Sequence, residues 1–255
     1  MTDTHTHLYM EDVYPDGGVK AVENALAAGV GRMVLPCVNP ESLPMMRRLH
    51  ERFPSETFLA LGLHPTDVGD DFEEVLRRME AMLPGDFVAI GEVGIDLYHD
   101  ASRREQQKVA FRRQLEWAVS HDLPVIIHCR EGLDDTLEVL SDFSGRLPRL
   151  IFHSFTGSPD DVRKIRSVCD PWFGINGVVT FKNAPALREA LKEIGPERIV
   201  LETDAPWLSP VPVRGTLNES SRIPYIRDCV ARELGLSPEE TERITDESAS
   251  FIFRF

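Results

Sequence analysis

Short apolar segments rich in β-branched residues alternate with longer amphipathic segments along the 255 residues of the chain. The repeat of about thirty residues fits a parallel strand followed by the helix that returns the chain to the same end of a sheet. Eight such units without a break in composition favour a closed barrel over an open doubly wound sheet. The sequence therefore predicts an α/β fold, a single (β/α)8 TIM barrel, with residues 1–255 forming one domain. The predicted strands are Thr2–Leu8, Gly31–Cys37, Thr57–Leu63, Phe87–Val93, Pro124–Cys129, Arg149–His153, Trp172–Ile175 and Arg198–Thr203.

Three serines mark predicted helix starts between these strands. Ser102 with Glu105, and Ser237 with Glu240, have the spacing of a capping box, in which serine and acidic side chains each accept a backbone N–H of the other. Ser158 precedes a proline, which suits the first helical position because the missing N–H would be unpaired there.

Charge and hydropathy limit the possible partners. A formal net charge of −14 argues against a broad basic surface that binds duplex nucleic acid, although it does not exclude a substrate containing phosphate. The chain has no run of about eighteen apolar residues and starts with neither a basic leader nor an apolar signal segment. We therefore expect a cytoplasmic protein without membrane association.

Histidines and carboxylates cluster at the carboxyl ends of the predicted strands. His5 and His7 lie two residues apart, so their side chains share one strand face and can converge on one ion, although plain polar alternation explains this pair equally well. Further side chains able to bind metals end other strands: His64, Glu92, His128, His153 and Asp204. Barrel enzymes build their sites at that end, and so many chelating groups after apolar runs predict a metal centre there.

The number of ligands suits two divalent ions. Four imidazoles, one bridging carboxylate and a second carboxylate give each ion about three protein ligands and leave positions for water and substrate. We expect Glu92 to be the bridge. The predicted ligands on its two sides in strand order are His5, His7 and Asp204, and His128 and His153. Such ligands leave the metal open among zinc, magnesium, manganese, nickel and iron.

Seven ordered segments carry a family resemblance: Asp3–His7, Gly62–Pro65, Ala89–Glu92, Pro124–His128, His153–Gly157, Thr180–Ala184 and Glu202–Pro206. With these motifs the chain resembles the TatD family of metal-dependent hydrolases, similar to deoxyribonucleases within the amidohydrolase superfamily. The resemblance implies a phosphodiester substrate, usually DNA attacked from an end. The metal sites that it implies are His5, His7, Glu92 and Asp204 for one ion, and Glu92, His128 and His153 for the other.

Two loops depart from the family pattern. Residues 95–100 read Ile-Asp-Leu-Tyr-His-Asp, where the family has Leu-Asp-Tyr followed by an aromatic or basic residue. This difference leaves the substrate contacts of that loop open. Ser220 follows the Asn-Glu pair after the eighth strand, where the family usually has proline.

Three residues receive catalytic predictions and three others substrate-binding ones. Asp204 is predicted to position one ion and to act as general base and acid, and Glu92 to bridge the ions. His64, which neither ion needs, is expected to contact the scissile phosphate or the attacking water. The cations nearest the predicted mouth, expected to hold phosphate oxygens unless they are solvated loop charges, are Arg130, Lys182 and Arg214.

Other chemistries fit the sequence less well. A cysteine phosphatase would need an arginine six residues after Cys129, where Asp135 stands, and no G-x-S-x-G elbow of a serine hydrolase occurs. The open alternative is an amidohydrolase that cleaves a C–N bond in a small substrate. Many such enzymes bridge their metals with a lysine, whereas strand four ends in Glu92 and Lys182 follows strand seven. DNA or another phosphodiester is the expected partner; DNA or RNA preference and the oligomeric state stay open, a monomer being compatible.

Overall fold

A computed structural model describes residues 1–83 and 85–255. Eight parallel strands follow one another in chain order around one sheet, which confirms the predicted barrel. The strands are β1 Thr2–Asp3, β2 Arg32–Pro36, β3 Thr57–Leu61, β4 Phe87–Asp96, β5 Val125–Arg130, β6 Leu150–Phe152, β7 Trp172–Ile175 and β8 Ile199–Leu201. The α-helices among the described residues are α1 Val19–Ala27, α2 Leu43–Arg52, α3 Phe72–Glu80, α4 Arg104–His121, α5 Leu133–Ser141, α6 Pro159–Arg166, α7 Pro185–Ile194, α8 Ile223–Leu234 and α9 Pro238–Phe253. None of these described helices combines the length and the apolarity that a membrane crossing needs.

Backbone hydrogen bonds close the barrel between its last strand and its first. The N–H of Thr4 donates to the carbonyl of Leu201 at 3.0 Å, and the N–H of His7 donates to the carbonyl of Ala205 at 2.8 Å. Thr6 forms an isolated parallel bridge with Ala205. The segment that follows β1 therefore runs beside the segment that follows β8.

The side chain of Asp3 explains why β1 and β8 end earlier than predicted. Its buried carboxylate accepts the backbone N–H of His5 at 3.3 Å and that of Thr203 at 2.9 Å, together with the Thr203 hydroxyl at 2.6 Å. These two backbone N–H groups are therefore not available for regular hydrogen bonds between neighbouring strands. The predicted strand residues beyond Asp3 and beyond Leu201 consequently leave the regular sheet.

The carboxyl ends of β3 and β4 also differ from the prediction, by two and three residues, whereas the bounds of β2, β5 and β6 and the start of β8 differ by one residue each. The N–H of Leu63 donates to the side-chain oxygen of Gln114 at 2.7 Å, so β3 ends at Leu61. β4 continues to Asp96, because its last residues pair with the end of β5. Gly94 is required in this extension, since its φ is 145° and a Cβ there would collide with the carbonyl oxygen of His128.

Helix α9 fills one end of the barrel. Side chains from six of the strands form a buried cluster with the last turns of this helix: Val34, Ala60, Ala89, Ile126, Ile151 and Val200 with Ala249, Ile252 and Phe253. Apolar packing thus closes the amino-terminal end of the barrel. The carboxyl ends of the strands are left to carry the polar side chains.

The three predicted helix starts have different outcomes. Ser158 caps α6 in a full capping box, as its hydroxyl accepts from Asp161 N–H and the Asp161 carboxylate accepts from Ser158 N–H. Ser237 caps α9 by accepting from Glu240 N–H at 3.1 Å, but the Glu240 carboxylate binds an arginine instead of completing the box. The prediction for Ser102 is wrong. Asp100 accepts its N–H at 2.9 Å and begins a single 3-10 turn, so α4 starts only at residue 104.

Candidate active site and metal centre

Four of the predicted ligands converge at the carboxyl end of the barrel. Nε2 of His5 lies 3.2 Å from Nε2 of His7 and 3.3 Å from Oε2 of Glu92. Nε2 of His7 lies 3.7 Å from that same carboxylate oxygen. Oδ1 of Asp204 is 3.8 Å from both imidazole nitrogens. These four side chains therefore surround one small space.

The other oxygen of Glu92 faces a second group of imidazoles. Oε1 lies 2.8 Å from Nδ1 of His128, 3.1 Å from Nε2 of His153 and 3.5 Å from Nε2 of His64. Glu92, only 3% exposed, thus presents one oxygen to each group. A carboxylate in this position has the geometry that a bridge between two cations requires.

Strand alternation explains how most of these side chains reach the mouth. His128 and His153 lie two residues beyond Ile126 and Ile151, which point into the barrel, so they point inward too. Glu92 breaks this rule, because it is an odd number of residues from the inward-facing Ala89. The register of β4 shifts between residues 90 and 93, and this irregularity turns Glu92 into the barrel.

Three of the imidazoles have a hydrogen-bond partner on the ring nitrogen that faces away from the centre. Nδ1 of His7 lies 2.8 Å from the Tyr9 hydroxyl, whose proton is donated to the Pro36 carbonyl at 2.6 Å. The hydroxyl must therefore accept from His7, which leaves a lone pair on Nε2 of the neutral ring. Nδ1 of His153 lies 3.0 Å from Glu202, and Nε2 of His128 lies 2.9 Å from Asp96. Metal-binding histidines typically have such partners.

Glu202 is a site residue that the sequence reasoning missed. It is fully buried, and its Oε1 accepts Nδ1–H of His153 and the backbone N–H of Ser154 at 2.6 Å. A Cβ at position 174 would collide with this carboxylate, so Gly174 provides the space for it. Glu202 also lies close enough to His5 and His153 for the three side chains to bind one metal ion. Strand alternation between Val200 and residue 204 is the signal that could have identified it.

Asp96 was also missed, although it lies in the loop that departs from the family pattern. Its carboxylate is fully buried and accepts from Nε2 of His128, from Nδ1 of His99 at 2.9 Å, and from two backbone N–H groups. Burial alone would raise its pKa, but these hydrogen bonds hold the pKa of Asp96 well below its usual range. Asp96 is therefore an anion that fixes the ring of His128.

Four carboxylates lie at or directly behind the centre. Among the described residues, no lysine or arginine lies within 4.0 Å of the carboxylates of Glu92, Asp96, Glu202 or Asp204. Burial lowers the pKa of His5 to about 4 and holds the pKa of His7 well below its usual value, so both rings are neutral. Buried carboxylates opposite imidazole lone pairs fit divalent cations. The residues present therefore suit a metal centre.

Asp204 has properties that suit a group exchanging protons. Burial raises its pKa to about 7; the nearby His153 lowers this pKa and the negative Glu92 raises it. Its φ of 54° places the backbone in the left-handed region, which is uncommon for a residue other than glycine and recurs at functional sites. A cation bound beside it would lower this pKa.

A cavity of about 760 Å³ opens above the centre. His64, Asp204, Trp207 and Arg130 are among its lining residues, and of the described residues that line it only Arg130 is a lysine or arginine. Its guanidinium stacks 3.7 Å from the ring centroid of Tyr98.

The other two predicted substrate cations do not line this cavity. Lys182 is exposed between β7 and α7, and the Arg214 guanidinium lies 4.2 Å from the ring centroid of Phe181. Their proposed contacts with substrate therefore require a ligand that extends beyond the cavity.

Cys129 is a poor nucleophile in this setting. Burial raises the pKa of its thiol to about 11, although a hydrogen bond from Thr136 lowers it slightly. A catalytic cysteine needs a pKa depressed by nearby positive charge. The geometry thus agrees with the sequence in disfavouring a cysteine phosphatase.

A (β/α)8 barrel with this cluster at its mouth defines a metal-dependent barrel hydrolase. The family model described as TatD related DNase matches residues 2–254. The chain belongs to this family, which confirms the resemblance.

Relatives and solved structures agree over nearly the whole chain. The chain is 34% identical to the uncharacterized metal-dependent hydrolase YabD of Bacillus subtilis, over 99% of this chain and 98% of that protein. It is 33% identical to the 3′-5′ ssDNA/RNA exonuclease TatD of Pantoea ananatis, over 92% of each. The crystal structure of YJJV, a TatD homolog from Escherichia coli K12, superposes with a TM-score of 0.88 at 26% identity, covering 100% of this chain and 98% of that one.

Proposed function

We propose that this TatD-family hydrolase is a deoxyribonuclease that cleaves phosphodiester bonds from the 3′ end of single-stranded DNA with two divalent cations. The observation that carries the proposal is Glu92, whose two oxygens face two separate groups of imidazoles. Paired metal ions a few ångströms apart are the usual device for in-line displacement at a phosphodiester. The exonuclease name of the Pantoea ananatis relative supports the same substrate class.

The ligands proposed for the two ions share Glu92. One ion would be held by His5, His7, Glu92 and Asp204, and the other by Glu92, His128 and His153. The identity stays open among zinc, magnesium, manganese, nickel and iron. When bound, the cations would make water nucleophilic near neutral pH and offset charge on the phosphate.

Side chains around the cavity would supply the remaining steps. Asp204 would accept the proton of the attacking water and return it to the leaving alkoxide. His64, with Nδ1 held 2.6 Å from the Thr66 hydroxyl, would orient the scissile phosphate or the water through Nε2. Arg130 would hold a non-bridging phosphate oxygen, and for longer substrates Lys182 and Arg214 would contact the chain outside the cavity.

Hydrolysis of a C–N bond is the alternative for the same kind of centre. The barrel alone cannot decide between the two, because one fold hosts many reactions. A glutamate stands at the bridging position here, while Lys182 is exposed on a loop. This arrangement favours phosphodiester chemistry, and the alternative is tested in the same experiment.

The test is turnover of a 3′-labelled single-stranded DNA oligonucleotide by protein supplied with each divalent metal in turn, beside a panel of cyclic amides. The proposal predicts metal-dependent release of mononucleotides from the labelled end and no amide hydrolysis. The double variant His128→Ala, His153→Ala, purified identically, controls for contaminating nucleases. Amide turnover without DNA cleavage would replace the proposal with its alternative.

A further inference from the structure

His99 lines the cavity but belongs to neither group of proposed metal ligands. Its side chain is 51% exposed, yet the ring is not free to rotate. Oδ2 of the buried Asp96 accepts from Nδ1 of His99 at 2.9 Å, and Oδ1 accepts from its backbone N–H at 2.9 Å. An exposed imidazole held in this way keeps Nε2, the ring nitrogen opposite Asp96, available for a ligand.

A positively charged side chain lies one aromatic ring away from this imidazole. The rings of Tyr98 and His99 meet edge to face with centroids 5.1 Å apart, and the Arg130 guanidinium lies over the Tyr98 ring. Among the described residues, no carboxylate lies within 4.0 Å of the Arg130 guanidinium. An arginine that lines the cavity without a carboxylate partner is suited to an external anion.

Arg130 lies beyond the proposed metal centre by about one step of a nucleotide chain. Arg130 is two residues beyond His128 on β5, so both side chains point to the same side, about 6.6 Å apart along the strand. Asp96, which holds His99, is the partner of Arg130 in the register of β4 and β5. One sugar separates adjacent phosphates of a nucleic acid by a comparable distance.

We propose that His99 and Arg130 form a subsite for the phosphate adjacent to the scissile one, with Nε2 of His99 contacting a phosphate oxygen. This inference rests on the proposed function and adds a preference for substrates with at least two phosphates. The carboxylate of Asp96 accepts a hydrogen bond from Nδ1 of His99. A ring that also carries a proton on Nε2 can donate a second hydrogen bond to the phosphate. His99 lies in the loop that departs from the family pattern.

The competing explanation is that His99 only anchors the loop by binding Asp96. Two substitutions separate these roles, because asparagine places a donor near the position of Nδ1 and glutamine places one near that of Nε2. His99→Asn keeps the bond to Asp96 and removes the phosphate contact. His99→Gln removes the bond to Asp96 and keeps the phosphate contact. His121→Asn, at the end of α4 away from the cavity, is the matched control.

The experiment compares ligands with one and two phosphates. Calorimetric titration with adenosine 5′-monophosphate and adenosine 3′,5′-bisphosphate measures binding without turnover, and KM is measured for the thymidine dinucleotides TpT and pTpT. We expect the parent and His121→Asn to bind the bisphosphate at least tenfold more tightly, and His99→Asn to lose most of this preference. We expect His99→Gln to retain part of it. The KM advantage of pTpT over TpT should change in parallel, while kcat changes little.

Every other outcome of these measurements either supports or overturns the proposed subsite. If the preference for the bisphosphate is retained in His99→Asn but lost in His99→Gln, the residue only holds Asp96 and the proposal is overturned. A preference for the bisphosphate that is retained in both variants would also overturn the proposal. Loss in both supports the subsite if metal content is unchanged and overturns it if metal is lost. Absence of dinucleotide cleavage by the parent would refute the proposed function, whereas the binding titration would still decide on the subsite.

Discussion

Replacing Glu202 with glutamine tests whether the buried residues behind the imidazoles tune the metal centre. Both hydrogen bonds to Glu202 go to Oε1, from His153 and from Ser154. Glutamine keeps an oxygen at this point, so His153 should keep its orientation. What disappears is the negative charge that makes the ring a stronger ligand. Losing such a partner typically weakens metal binding by about 10–100-fold, which corresponds to about 1.4–2.7 kcal/mol.

The effect should be confined to the ion that His153 holds. Competition with a chromophoric chelator should therefore resolve two binding steps in the parent, and Glu202→Gln should weaken only one of them. Glu197→Gln, the same substitution on an exposed residue before β8, is the control and should bind like the parent. Among the described residues Oε2 of Glu202 has no hydrogen-bond partner, so the new amide group there should also lower the melting temperature slightly. Affinities within twofold of the parent at both steps would refute the reasoning.

Three further substitutions test other parts of the account. Asp204→Asn should retain metal, while the rate of single-turnover cleavage should fall by a factor of about 10²–10⁴, the usual contribution of general acid–base catalysis. A rate within threefold of the parent would mean that another group transfers the proton of the attacking water. His64→Ala should lower turnover with metal content and circular dichroism unchanged, and loss of metal would instead make His64 a ligand. Asp3→Ala removes the buried acceptor that joins His5 to Thr203, so urea denaturation should show a loss of about 3 kcal/mol, and a loss below about 1 kcal/mol would contradict this closure role.

The barrel was predictable because its signal is repeated eight times. Each strand is a short apolar run, and errors of a few residues at its ends do not change the topology. Strand ends were the weak part of the prediction, for a definite reason. Side chains such as Asp3 and Gln114 take backbone donors away from the ladder, and these contacts join residues distant in sequence. The predicted Ser102 cap failed through a local contact instead, because the side chain of Asp100 accepts the Ser102 N–H.

The predicted ligands were found together because each one interrupts an apolar strand end. Glu92 was chosen for its place in the strand order, although alternation from Ala89 would have pointed it out of the barrel. Only the shifted register of β4 turns it inward, and a sequence pattern does not encode such a shift. Glu202 and Asp96 were missed because they lie one layer behind the imidazoles. Their function depends on which ring nitrogen they face, and that is a property of the folded geometry.

The most direct test of the account is the metal content of the purified protein. Protein prepared without chelator should contain about two divalent ions per chain by elemental mass spectrometry, because Glu92 separates two complete groups of ligands. Added metal should also raise the melting temperature of chelator-treated protein, since ligands that bind only the folded state stabilise it. A reproducible ratio near zero, together with an unchanged melting temperature, would contradict the proposed centre.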